Sequence, residues 1–95
     1  MAFNSPIFRI HAIQRMLERN VSADEVKEIL RTGKVIEDYP QDKPYPSYLM
    51  LGWVLHRPLH VVAADNAVEK ETVVISVYEP ELSQWDQNFE RRKKK

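Results

Sequence analysis

Cysteine is absent from this 95-residue chain, which excludes disulfides, thiolate nucleophiles and cysteine-ligated zinc or iron–sulfur centres. Glycine occurs only at positions 33 and 52, which cannot form a phosphate-cradling loop. No Gly-x-Ser-x-Gly, His-Glu-x-x-His or P-loop pattern is present. Long apolar runs are missing too. The longest, Tyr48 to Leu55, has 8 residues, against the roughly 20 needed by a membrane-spanning helix. The opening Met1-Ala2-Phe3-Asn4-Ser5-Pro6 has neither a basic nor an apolar leader region. No signal peptide is therefore predicted, and a soluble cytoplasmic protein is expected.

What remains is globular in composition, with 43% hydrophobic and 29% charged residues, enough to support a packed core. The length fits a single domain over residues 1–95, burying about two-thirds of its unfolded surface. A formal net charge of zero hides a segregation. Residues 1–60 carry eight Lys/Arg and seven Asp/Glu, residues 61–90 carry one lysine and seven acids, and Arg91 to Lys95 are all basic. Such a tail either attracts phosphate or an acidic partner, or serves as a solvated, flexible end.

Ile10, Ile13, Met16 and Leu17 recur at helical spacing and predict a helix from about Phe8 to Arg19 with that side buried. Asn20-Val21 breaks it. Ser22-Ala23-Asp24-Glu25 has the form of a capping box, and Val26, Ile29 and Leu30 supply the buried face of a second helix. Thr32-Gly33 closes that helix, with Gly33 suited to a left-handed cap. Lys34–Tyr39, Tyr48–Leu55, Leu59–Ala64 and Thr72–Tyr78 then read as strands. Pro40 to Ser47, with three prolines, is an irregular loop, since proline cannot join a sheet ladder. His56-Arg57-Pro58 is short enough for a hairpin turn. Leu82, Trp85 and Phe89, at i, i+3 and i+7, predict a short closing helix over Glu81–Glu90. The whole is an α+β arrangement: two N-terminal helices on a mostly antiparallel sheet of about four strands, with a short C-terminal helix.

Several residues have the right chemistry for a site. His11 and Arg15, one helical turn apart, put a titratable imidazole beside a permanent cation, a pair suited to acid–base work on a phosphate ester. The same stripe is equally a solvent face on which Glu18 neutralises Arg15. Arg57 at a hairpin tip can fork onto phosphate, and His60 follows on the next strand. Strand alternation puts His60 beside Tyr78 if their strands are antiparallel neighbours in register. That pair is either an acid–base set or a structural hydrogen bond. Tyr39, Tyr45 and Tyr48, with Lys43, either stack on unpaired bases or pin the proline-rich loop. His56 and His60, with only the distant His11 as a third ligand, make a poor zinc site, so neither metal nor cofactor is expected.

The run His11-Ala12-x-x-Arg15-Met16-x-x-Arg19, with Val35-Ile36-Glu37-x-Tyr39-Pro40 and Pro44-Tyr45-Pro46-Ser47, resembles a bacterial family catalogued as domain of unknown function 4258. So do Arg57-Pro58-Leu59-His60-Val61-Val62, Tyr78-x-Pro80, Trp85 and Arg91-Arg92. Members look like small toxins of toxin–antitoxin pairs, and the Arg57–Val62 hairpin is similar to that of BrnT toxins in the RelE/ParE-like group. The resemblance implies a RelE/ParE-like fold and a metal-independent endoribonuclease acting on messenger RNA. It also implies a cognate antitoxin protein as partner. In such a reaction an RNA 2′-hydroxyl attacks its own phosphate. That attack requires a base, cations for the developing charge and an acid for the leaving 5′-oxygen. The expected assignment is His60 as base or acid with His11 or Tyr78 as its counterpart, Arg15 and Arg57 on the phosphate, and Lys34, Tyr45, Arg91 and Arg92 holding RNA. The other reading is a non-catalytic toxin or binding module of the same fold that blocks a protein or nucleic-acid target. One position departs from the family pattern. His56 stands where glycine usually precedes the arginine, so the resemblance does not fix the turn geometry or the aim of Arg57.

Overall fold

The computed structural model describes residues 6–93. Met1–Ser5, on which the leader reading rests, and Lys94-Lys95 of the basic tail lie outside the described residues. The chain runs β1 (Ile7–Phe8), α1 (Ile10–Arg19), α2 (Ala23–Thr32), β2 (Lys34–Tyr39), β3 (Ser47–Val54), β4 (Arg57–Asn66) and β5 (Glu71–Tyr78). The strands form one sheet in the order β1-β5-β4-β3-β2. β1 lies parallel to β5, and the other neighbours are antiparallel. The α+β class therefore stands, but the sheet has five strands and is mixed. β1 has too few residues to show alternation. Its place is decided by backbone pairing of Ile7 with Val73 and Phe8 with Val74, which also delays the start of α1 to Ile10.

α2 begins as the capping box requires: the Ser22 hydroxyl accepts from the Glu25 amide at 3.1 Å, and the Glu25 carboxylate accepts from the Ser22 amide at 2.8 Å. Gly33 is not a left-handed cap, having φ −73°. A Cβ there would lie 2.5 Å from the Ile29 carbonyl oxygen and 2.8 Å from that of Leu51, so close approach of α2 to β3 explains the glycine. Both helices cover one sheet face. Ala12, Met16, Val26, Ile29 and Leu30 pack there against Met50, Leu59, Val61, Ala63, Val74 and Val77.

α1 is rotated from the expected orientation. Ala12 and Met16 are buried, whereas Ile10, Ile13 and Leu17 are 74%, 43% and 77% exposed. Its entry is set by the β1–β5 pairing and its exit by Asn20, whose left-handed φ of 56° ends the helix. Small Ala12 is the side that can approach the sheet most closely.

The hairpin between β3 and β4 also differs. Val54 pairs with Arg57, so the loop is Leu55-His56 and Arg57 belongs to a strand. Leu55 takes the left-handed φ of 57°, so the turn places no demand for glycine on His56. The closing helix is replaced by turns. Asp86 side-chain oxygen accepts from the amides of Asn88 and Glu90, a local alternative that competes with helix formation. An isolated bridge joins Trp85 to Arg92. This segment lies over the sheet face opposite the helices, burying Trp85 to 1% exposure, while Leu82 stays exposed.

Candidate functional site

The face opposite the helices carries a polar cluster at its centre. Alternation along β4 turns His60 away from Leu59 and Val61, and the register sets it directly opposite Tyr78. The His60 Nδ1 lies 3.1 Å from the Tyr78 hydroxyl and its Nε2 lies 2.8 Å from the Phe89 carbonyl oxygen. A carbonyl only accepts, so Nε2 carries the hydrogen and Nδ1 accepts from Tyr78. The Trp85 ring stands edge-on, 4.4 Å away between centroids, and His60 has no exposed surface. Burial pulls the imidazole below the ordinary histidine value, and the Phe89 carbonyl and the nearby Glu37 carboxylate offset this only in part. Burial likewise raises the Tyr78 hydroxyl.

Beside this pair lie Glu37, Tyr39 and Arg92. A bulge in β2 between Val35 and Glu37 resets the strand, so that Glu37 faces Leu49 and Tyr39 faces Ser47. The Tyr39 hydroxyl donates to Glu37 Oε1 at 2.5 Å. Arg92 Nε donates to Glu37 Oε2 at 3.2 Å, and its guanidinium lies 4.7 Å over the Trp85 ring. Burial and the hydrogen bond to Glu37 push the Tyr39 hydroxyl up to about 12. One carboxylate is thus held between a neutral phenol and a cation. The Arg92 side chain keeps 58% exposure and that of Glu37 keeps 26%, so the group is open to solvent.

The rim adds aromatic and charged groups. Trp53, 52% exposed, stands edge-to-face with Phe89 at 5.9 Å. Lys34 Nζ pairs with Glu90 at 3.0 Å, and Arg91 is exposed. Among the described residues no three His, Asp or Glu side chains converge as a metal-holding group.

The expected site residues do not form one constellation. His60 and Tyr78 meet in the register that alternation suggested. His11 and Arg15 sit on α1, which covers the opposite sheet face, and Arg15 pairs with Glu18 at 3.0 Å. Arg57 is directed to the end of α1, donating to the carbonyl oxygens of Arg19 at 2.7 Å and Asn20 at 3.2 Å. The Tyr45 hydroxyl accepts from Asn66 Nδ2 at 2.9 Å, which pins the proline-rich loop to the end of β4. Lys34 and Arg92 do share the rim of the polar face, and Arg91 is exposed in the segment laid over it. Glu37, Trp53 and Phe89 were missed as site residues, and Tyr39 was read only as a base-stacking or loop-pinning side chain. The i, i+2 spacing of Glu37 and Tyr39 on a strand places both on one face, which was the available signal.

The model of a family described as Domain of unknown function (DUF4258) matches residues 8–79. That span includes Glu37, Tyr39, His60 and Tyr78 but not the segment that brings Trp85, Phe89 and Arg92. No curated protein and no solved structure matches the chain.

Proposed function

Because the chain belongs to the DUF4258 family, whose description specifies no activity, we propose one from its geometry: a toxin-like, metal-independent endoribonuclease acting on messenger RNA. The observation that carries this reading is the Glu37 carboxylate held between the Tyr39 hydroxyl and the Arg92 guanidinium. Around it Trp53 and Phe89 offer faces for bases, and Lys34 and Arg91 offer cations for the RNA backbone. Kinship with BrnT and RelE/ParE-like toxins belongs to the same reading, supported by two helices on one face of a largely antiparallel sheet. A cognate antitoxin protein and a cytoplasmic site of action follow from it.

The chemistry assigned to this group balances. Glu37 takes the proton of an RNA 2′-hydroxyl as its oxygen attacks the adjacent phosphorus. Arg92 stabilises the charge that develops on the phosphoryl oxygens. Tyr39, neutral across the physiological range, gives its proton to the departing 5′-oxygen. Proton return from Glu37 to Tyr39 along their hydrogen bond resets the site. The products are a 2′,3′-cyclic phosphate and a 5′-hydroxyl. His60 and Tyr78 are positioning residues here: the His60 bond to the Phe89 carbonyl holds the segment that carries Arg92. The phosphate role expected for Arg15 and Arg57 passes to Arg92, and the base role expected for His60 passes to Glu37.

A second reading, a non-catalytic binding module, is favoured by one observation: His60 has no exposed surface and both ring nitrogens are engaged. Induction of wild type and Glu37→Gln in a bacterial host, with growth and total messenger RNA followed together, separates the two. Arrest with RNA loss, both abolished by the substitution, supports cleavage. Arrest with intact RNA supports the binding module. No arrest from folded protein overturns the toxin reading.

A further inference from the structure

β3 outruns the strand beside it. β2 pairs with Ser47–Leu51 only, because the chain enters β2 from α2 through Gly33. Gly52, Trp53 and Val54 therefore have a strand neighbour on the β4 side alone. Successive residues of an antiparallel strand direct their peptide groups to opposite sides. The Leu51 carbonyl oxygen points to the β2 side, 2.8 Å from where a Cβ on Gly33 would sit. The register with β4 is continuous from Ser47 to Val54, where Val54 faces Arg57 and closes the hairpin. Trp53 thus turns both its N–H and its C=O away from β4, as Leu51 does. Pro58, opposite it on β4, has no N–H to donate. Among the described residues neither group of Trp53 has a backbone partner.

These two groups open into a groove of about 490 Å³, within the size range of ligand sites. Ile29 and Thr32 of α2 line one side of it, the Trp53 ring and Glu90 the other, with Gly52 and Val54 between them. Charge does not select the occupant. Glu28 pairs with Arg31 at 2.6 Å, Glu90 with Lys34 at 3.0 Å, and Glu25 lies 4.0 Å from Arg57. Three lining carboxylates do, however, make this a poor seat for the phosphates of a nucleic acid. Backbone geometry selects instead. The place that a longer β2 would fill is open, and its edge presents one donor and one acceptor from the same residue. A strand edge of this kind, with a helix alongside, takes an extended peptide as a further strand. The peptide's main chain meets the edge and its alternate side chains meet the two walls.

We propose that an extended segment of a partner protein lies in this groove as an added strand, exchanging two backbone hydrogen bonds with Trp53. The residue opposite Trp53 sits beside the indole ring, and its two neighbours turn toward Ile29 and Val54, where branched apolar side chains fit. Neither Glu37 nor Arg92 takes part, so the inference holds whether or not RNA is cleaved. The test uses the full chain and an end-blocked, labelled peptide, Lys-Val-Thr-Val-Lys. Fluorescence anisotropy reads binding, and amide hydrogen exchange by NMR reads its place. In the free chain the Trp53 amide exchanges fast while those of Gly52 and Val54, directed at β4, exchange slowly. Bound peptide slows the Trp53 amide by about tenfold or more. The same peptide with every internal amide N-methylated keeps its side chains and binds about tenfold more weakly or worse. Thr32→Tyr, at an exposed position, fills the groove and abolishes binding with the melting curve unchanged. Equal binding of the N-methylated peptide overturns the proposal, as does absence of binding up to millimolar peptide. Slow Trp53 exchange in the free chain would mean that the chain or a second copy already fills the groove. Protection by adenosine monophosphate but not by the peptide would assign the edge to a nucleobase, and both results overturn the proposal.

Discussion

Arg57 grips the end of the helix that contains Arg19: its guanidinium donates to the Arg19 carbonyl at 2.7 Å and to the Asn20 carbonyl at 3.2 Å. The last carbonyls of a helix lack intrahelical partners, and here a strand side chain supplies them. The contact ties α1 to β4 across 38 positions of sequence.

Arg57→Ala accordingly lowers stability by about 1–3 kcal/mol, read as a shifted denaturation midpoint. Under the proposed ribonuclease reading, cleavage per folded molecule stays at the wild-type level. Loss of cleavage at unchanged stability would instead return Arg57 to the phosphate.

His60 gives the protein an acid sensitivity whose sign follows from burial. Its ring is held below the ordinary value of 6.5 in the folded chain. Above that value the ring is neutral in both states, and its contribution to stability is fully present. As pH falls below it, the unfolded chain takes up a proton that the folded chain refuses, and stability declines. The slope is at most about 1.4 kcal/mol per pH unit. Denaturation midpoints between about pH 7.5 and 5.5 fall for wild type and stay flatter for His60→Gln. Parallel profiles for the two proteins count against the buried neutral ring.

On the proposed ribonuclease mechanism, Tyr39→Phe removes the proton donor while leaving the ring in place. Cleavage falls by about 100-fold or more, in the range usual for a general acid. An alkaline absorbance titration, wild type minus Tyr39→Phe, shows a phenol ionising near 12. A difference appearing around the ordinary value of 10 would mean that Tyr39 is not tied to Glu37.

Gly52 lets Ile29 of α2 approach the sheet closely. A Cβ there would fall 2.4 Å from Ile29 Cγ1. Gly52→Ala destabilises by about 1–3 kcal/mol through overpacking. Adding Ile29→Ala relieves that clash, so the double variant is more stable than the sum of the two single effects. Simple additivity in the thermal melts would place the clash elsewhere.

Elements with strong local patterns were legible from the residues. The Ser22–Glu25 capping box, the apolar face of α2 and the β-branched run Thr72–Tyr78 all follow from spacing, as do the strand faces of His60 and Tyr78, whose pairing needed the β4–β5 register. Each depends on a few near neighbours or on the period of two along a strand. The candidate site was only half legible. Lys34, Arg92, His60 and Tyr78 belong to its face, but Glu37 went unassigned and Tyr39 was not linked to it, because nothing local shows which of several strand carboxylates meets the segment after β5.

What the sequence determined by itself was class and parts: no disulfide framework, an α+β chain, two helices of known extent to within a turn, and strands with definite faces. Tertiary structure decided where the parts point. It added β1, turned Ile10, Ile13 and Leu17 outward, took Arg57 to the end of α1, and laid the Trp85–Arg92 segment over the sheet. The reason is one of range. Periodicity and caps are written in residues that stay neighbours in any conformation, whereas these contacts depend on bulges, register and helix rotation set by the whole sheet.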